Sequence, residues 1–178
     1  VKNLTPTQLG VANKFLPLPQ TALVTDELIQ KQREIQSEMP YENPIEILSF
    51  LSFCTTPNDM LNCVHMCARQ IHHIAKRQCD LRGKDFTFGA DEFFPVLVYV
   101  VSHSNLPFIH TNLAFMSKYM SNADRDEKPD LIYYLTCLEG AVMYIQQLTE
   151  EDIRNLTQDD DISKPQDDEQ VASSQSPH

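Results

Sequence analysis

Only four glycines and no tryptophan occur in 178 residues, and 14 Lys and Arg face 25 Asp and Glu. Each shortage excludes something. So few glycines leave no glycine-rich phosphate loop, so the chain is not expected to hold a nucleotide of its own. The net charge of −11 turns the chain away from nucleic acid and anionic membrane surfaces, which need clustered Lys and Arg. No apolar run approaches the ~20 residues of a bilayer span. The start, Val1-Lys2-Asn3-Leu4-Thr5, lacks the plan of a secretory signal, and the missing initiator Met is expected of a fragment or a processed start. Five cysteines, Cys54, Cys63, Cys67, Cys79 and Cys137, are odd in number and sit mostly in apolar patterns. They read as reduced, buried thiols of a cytosolic protein.

What the chain does have is a hydrophobic content of 42%, enough for the core of one domain with an extension. The apolar spacing is helical nearly throughout. Thr5-Pro6 predicts a short helix that Gly10 ends. From Gln20 to Met39, Val24, Leu28, Ile35 and Met39 share a face, with Lys31, Gln32, Arg33, Glu34 and Gln36 expected on the solvent side. Asn43-Pro44 starts a helix with Ile45, Leu48 and Leu51 as core contacts. Thr56-Pro57-Asn58-Asp59 starts the next, with Thr56 as cap and Asp59 as the capping-box acid, and Met60, Val64, Cys67, Ile71 and Ile74 line its buried side.

After a loop, Phe93-Phe94-Pro95-Val96-Leu97-Val98-Tyr99-Val100-Val101 is an apolar run without alternation, compatible with a buried strand or a buried helix. Helix is the better reading, because no second strand exists to pair with it, although Pro95 is tolerable only near the first turn. Ile109, Leu113, Met116 and Met120 then share a face, as do Leu131, Leu135, Leu138, Val142 and Ile145. Tyr133, Thr136, Gly140 and Met143 form a second face of that last helix. Residues 121–129 read as a solvent loop. Thr149-Glu150-Glu151-Asp152 caps a short helix through Leu156. The Asp-rich remainder, 157–178, reads as a disordered acidic tail.

Little in the sequence suggests covalent chemistry. Cys63 and Cys67, with His65, His72 and His73 nearby, lack the second ligand pair of a structural zinc site, so no metal and no cofactor are expected. His103 and His110 read as helix-end residues. Asp91 has two readings: a helix-start acid favoured by the dipole, or a carboxylate presented to something outside the chain. Tyr133 and Thr136 could form a buried hydroxyl pair satisfied by backbone carbonyls.

Gly89-Ala90-Asp91-Glu92-Phe93-Phe94-Pro95, followed by Asn105, Pro107 and Asn112 and then by Tyr133-Tyr134-Leu135-Thr136 and Gly140-Ala141, resembles the Vps-nine domain family. These domains are guanine-nucleotide exchange factors for endosomal GTPases of the Rab-five subfamily. The resemblance covers residues 56–148 and, weakly, the segment from Leu4 to Gly10. It implies an all-α bundle, divided as a helical layer over 1–55, an exchange core over 56–156 and the tail over 157–178. It also implies Asp91 as an aspartate finger, Pro95 shaping its helix, and Tyr133 and Thr136 in the GTPase-binding groove, with Gly140 and Asn112 beside them. The implied partner is a GTPase of that subfamily, in the cytoplasm and at early endosomes. A helical GTPase- or scaffold-binding module without exchange activity is the alternative. Residues 36–55 look like an insertion into the family pattern.

Overall fold

The computed structural model describes residues 3–18, 25–35, 39–122 and 129–162, and every regular element among them is helical. At its centre lies α3 (Pro57–Leu81), with α1 (Asp26–Ile35), α2 (Glu42–Ser49), α4 (Ala90–His103), α5 (Ile109–Asn122) and α6 (Pro129–Gln147) packed around it. The start of α3 follows its sequence: the Asp59 amide donates to Thr56 Oγ1 at 3.1 Å, the Thr56 hydroxyl donates to Asp59 Oδ2 at 2.7 Å, and Pro57 fills the first helical position. Met60, Val64, Cys67, Ile71 and Ile74 are all buried.

The apolar run is helix. Along α4 residues 96–102 are buried without interruption, which an α-helix achieves only when neighbours cover every face. Those neighbours are α2, α3 and α6. Leu113, Met116 and Met120 of α5, and Leu131, Leu135, Leu138 and Val142 of α6, are buried as their spacing predicts, while Ile109 and Ile145 are half-buried at the margin.

Several expectations change. Residues 36–38 lie outside the described residues, but Tyr41 onward belongs to the core rather than to an insertion. Tyr41, Leu48 and Leu51 are completely buried, α2 packs along α3, and a 3-10 turn, Phe50–Phe53, extends it. The Thr5-Pro6 segment is a hydrogen-bonded turn, not a helix: Thr5 and Gln8 exchange cap bonds, then Gly10 at φ +86° reverses the chain. Gln32 is buried rather than solvent-facing, because it stands one turn beyond Leu28 on the side of α1 that meets α3; its Oε1 accepts the Leu18 amide at 3.4 Å. Val24 lies outside the described residues.

The helix α7 (Glu150–Ile162) starts as its box predicts, with the Thr149 amide donating to Asp152 Oδ2 at 2.8 Å and the Asp152 amide to Thr149 Oγ1 at 3.2 Å. It continues past Leu156 through Ile162, since a nucleated helix extends at little further cost. The beginning of the expected disordered tail is therefore helical, and 163–178 lie outside the described residues, as does the 123–128 part of the expected solvent loop.

Candidate functional site

The site starts with the first turn of α4. Gly89 caps it in an extended conformation, and its amide donates to Glu92 Oε2 at 2.8 Å. This is half of a capping box, since glycine has no side chain to return the bond. Glu92 thus does the capping that the sequence left open for Asp91. Asp91, at the second helical position, is exposed, and its carboxylate makes no hydrogen bond or ion pair with the described residues.

Two phenylalanines seat this turn on the bundle. Phe93 is 1% exposed, with its ring centroid 5.1 Å from that of His72, 5.7 Å from Tyr134 and 6.5 Å from Tyr133. His72 is fixed in turn, its Nδ1 lying 3.0 Å from the Ala68 carbonyl. Phe94 turns the other way along α6, toward Tyr144 (6.2 Å between centroids) and Gly140, where a Cβ would lie 3.5 Å from Phe94 Cε2. Gly140 therefore permits a close approach, but the segment that approaches belongs to this chain. Pro95 is the sixth residue of α4, and Gly10 of the N-terminal turn lies near its ring, which a Cβ at position 10 would meet at 3.9 Å.

Tyr133 and Thr136 are exposed on α6, so they are not a buried pair. The Thr136 hydroxyl donates to the Ile132 carbonyl at 2.9 Å. Partial desolvation, and then the neighbouring Cys137 thiol, hold the Tyr133 phenol above its ordinary pKa. Met143 and Tyr144 are also exposed, and with Tyr133 they make an apolar, aromatic strip along α6. Such a surface suits protein recognition, where aromatic anchors dominate the binding energy. Asp91, Pro95, Tyr133, Thr136 and Gly140 are thus gathered on two packed helices. Asn112 is not: it is half-buried on α5, which packs on α3 and α6.

The remaining candidates have structural work. Cys63 and Cys67 lie under α2, where their thiols donate to the carbonyls of Ile47 (2.9 Å) and Pro44 (3.5 Å). His103 ends α4 with its ring 4.2 Å from that of Tyr99, and His110 in the first turn of α5 meets Gln146 at 2.5 Å. Among the described residues, no three His, Cys, Asp or Glu side chains converge as metal ligands. Sequence reasoning missed Glu92 as the capping acid and Phe94 as the ring over Gly140. A glutamate three places after Gly89 was the available signal for the first; the second is a tertiary contact.

Comparison with known proteins converges on one family. The family model of the vacuolar sorting protein 9 (VPS9) domain matches residues 41–150. Vacuolar protein sorting-associated protein 9A of Arabidopsis thaliana is 26% identical over 127 residues, covering 70% of this chain and 24% of that protein. Receptor-mediated endocytosis protein 6 of Caenorhabditis elegans is 28% identical over 123 residues, covering 69% of this chain and 11% of the relative. The human Rab5 GDP/GTP exchange factor is 31% identical over 104 residues, covering 58% of this chain and 20% of its own length. The chain spans less than a quarter of the length of these relatives.

Proposed function

Because the chain belongs to the VPS9 domain family, we propose that it is a guanine-nucleotide exchange factor for GTPases of the Rab5 subfamily. The relative named Rab5 GDP/GTP exchange factor supports this choice of partner. The observation that carries the reading is Asp91: an exposed carboxylate without a partner among the described residues, in the first turn of a helix buried all round from 96 to 102, and two places before Phe93, whose ring lies 6.5 Å from that of the exposed Tyr133.

The chemistry follows from what holds a nucleotide. A GTPase grips the phosphates with a lysine and Mg²⁺. A carboxylate inserted into that site attracts the lysine and repels the phosphate, so it favours the empty GTPase. By linkage, a chain that binds the nucleotide-free form more tightly weakens nucleotide by the same factor. A thousandfold loss of nucleotide affinity corresponds to about 4 kcal/mol. The strip carrying Tyr133, with Thr136 beside it, supplies docking energy, Pro95 shapes the turn that presents Asp91, and Gly140 seats Phe94 beneath it. Asn112 contributes from α5 at the margin of the surface. No bond is made or broken by this chain, and it carries no cofactor.

No described helix is long and apolar enough to cross a membrane. The proposed place of action is the cytoplasmic face of early endosomes, where such GTPases work. The test is release of fluorescent GDP from a panel of endosomal Rab GTPases by the chain and by Asp91→Ala. Fast release by the first and a loss of a hundredfold or so in the second is the expected result. Equal rates would remove the finger from the account, and binding without any acceleration would make the chain a docking module instead.

A further inference from the structure

Lys14 lies on the N-terminal segment, outside the stretch matched by the family model, yet it reaches both sides of the Asp91 turn. Its Nζ donates to Thr87 Oγ1 at 3.2 Å and to the Thr87 carbonyl at 3.4 Å, and stands 3.9 Å from Glu92 Oε1. Glu92 uses its other oxygen on the Gly89 amide. One ammonium therefore joins residues 87 and 92, and Asp91 sits between them.

The base from which Lys14 reaches is fixed. It belongs to the 3-10 turn Asn13–Phe15, and the Phe15 ring under its Nζ is completely buried, edge-on to Phe88 with centroids 4.8 Å apart. The Phe15 carbonyl accepts the Tyr41 hydroxyl at 2.9 Å, and the next carbonyl, Leu16, accepts Arg82 Nη2 at 2.6 Å. The segment to be held has less support of its own: residues 84–89 form no regular structure and are mostly exposed. The same N-terminal segment also passes near the other end of the first turns, where a Cβ on Gly10 would lie 3.9 Å from the Pro95 ring.

From this geometry we infer that Lys14 and Glu92 are positioning residues for Asp91, and that the N-terminal segment is a working part of the exchange surface. The inference rests on the exchange reading above. Lys14 touches no substrate; it acts by holding Glu92 and Thr87. Its pair with Glu92 is partly solvated, and such pairs add little to global stability. Its effect therefore falls on placement, and displacing a reacting group by about 1 Å can cost on the order of a hundredfold in rate.

Single-turnover release of fluorescent GDP from a Rab5-subfamily GTPase, with the chain in excess over a concentration series, reads the maximal rate apart from half-saturation. Lys14→Ala and Glu92→Gln each lower the maximal rate about fivefold, a fraction of that limit, and leave half-saturation unchanged. Glu92→Gln keeps an oxygen for the Gly89 amide and removes the charge that Lys14 faces, so it also serves if Lys14→Ala fails to fold. Lys14→Arg, which spans the same oxygens, restores most of the rate. A merely structural tie would shrink the folded fraction, shifting half-saturation at an unchanged maximal rate, and that result overturns the inference. A direct contact of Lys14 with the GTPase would also move half-saturation and would spare Glu92→Gln, with the same consequence. Asp91→Ala, run alongside, separates the two levels. If it releases GDP at the unmutated rate, the exchange reading falls; if it is inert while both other variants keep full maximal rate, only the positioning role falls.

Discussion

The peptide carbonyl of Asp91 has no helical hydrogen-bond partner, because the residue four places on is Pro95, which has no N–H to donate. The proline ring also crowds that carbonyl, so the turn bearing Asp91 lacks one of the bonds that would tie it to the rest of α4. The residue that shapes the tip and the residue it presents are thus coupled through one missing bond.

Replacing the proline should separate shape from stability. Pro95→Ala restores the bond to the Asp91 carbonyl, and alanine is favoured over proline inside a helix by about 3 kcal/mol, offset by about 1 kcal/mol of unfolded-chain entropy. The melting temperature is expected to hold or rise while GDP release slows about tenfold, as a displaced reacting group predicts. Calorimetry and the release assay on one preparation check this. A variant that melts earlier and exchanges normally would reverse the assignment.

Tyr41 ties the N-terminal segment to the core through its hydroxyl on the Phe15 carbonyl. Tyr41→Phe keeps the buried ring and leaves that carbonyl without this donor, costing about 1–3 kcal/mol. Amide exchange should rise first around residues 11–16, ahead of any change in α3. Uniform loss of protection throughout the chain would show that the segment is not a separate unit.

Gly140 offers the opposite sign. A Cβ there would meet Phe94 at ordinary van der Waals distance, and alanine gains about 0.5–1 kcal/mol over glycine within a helix. Gly140→Ala should therefore raise the urea midpoint with little change in release, whereas Gly140→Val pushes on the Phe94 ring and slows it. A drop in the midpoint for the alanine variant would mean that α6 and α4 approach more closely than 3.5 Å contact allows.

Alkali should unfold this protein through its thiols. Burial, aided by the nearby Cys54 thiol, raises Cys63 from an ordinary 9.0 to about 12, and burial raises Cys67 as well. For a group whose folded pKa lies above its unfolded one, the stabilisation is complete below the unfolded value and declines as pH rises toward the folded value. Stability should fall between about pH 9 and 12 by at most about 1.4 kcal/mol per pH unit per thiol. Urea melts from pH 8 to 10.5 measure the slope, and Cys63→Ala should make it shallower while losing some stability at pH 8.

The parts of the fold governed by local rules could be read from the chain. Thr56, Pro57 and Asp59 specify the start of α3 by themselves, and Thr149 with Asp152 that of α7, because caps are made within four residues. The stripes on α5 and α6 were legible because a helix repeats its buried side every three or four residues. Gln32 misled because a polar residue was assigned by type, although its spacing from Leu28 put it against α3. Within the candidate site, the spacing of Asp91, Pro95, Tyr133 and Thr136 was visible, but the packing of their two helices depends on Phe93 and Phe94, whose rings meet tyrosines of α6. The bond of Glu92 to Gly89 was obscured because the capping residue has no side chain. Lys14 was beyond reach in principle: its partners are more than seventy positions away.

Seven successive residues of α4, from 96 to 102, are buried on all sides, so the helix has no free flank on which to roll and no slack into which to slide. Whatever meets Asp91 meets a turn whose mount does not move. The displacement that accompanies docking must then be taken up by the other molecule, and the free and occupied forms of α4 should superpose. Association should accordingly carry no slow rearrangement belonging to this chain, and its rate should be set by encounter and orientation alone.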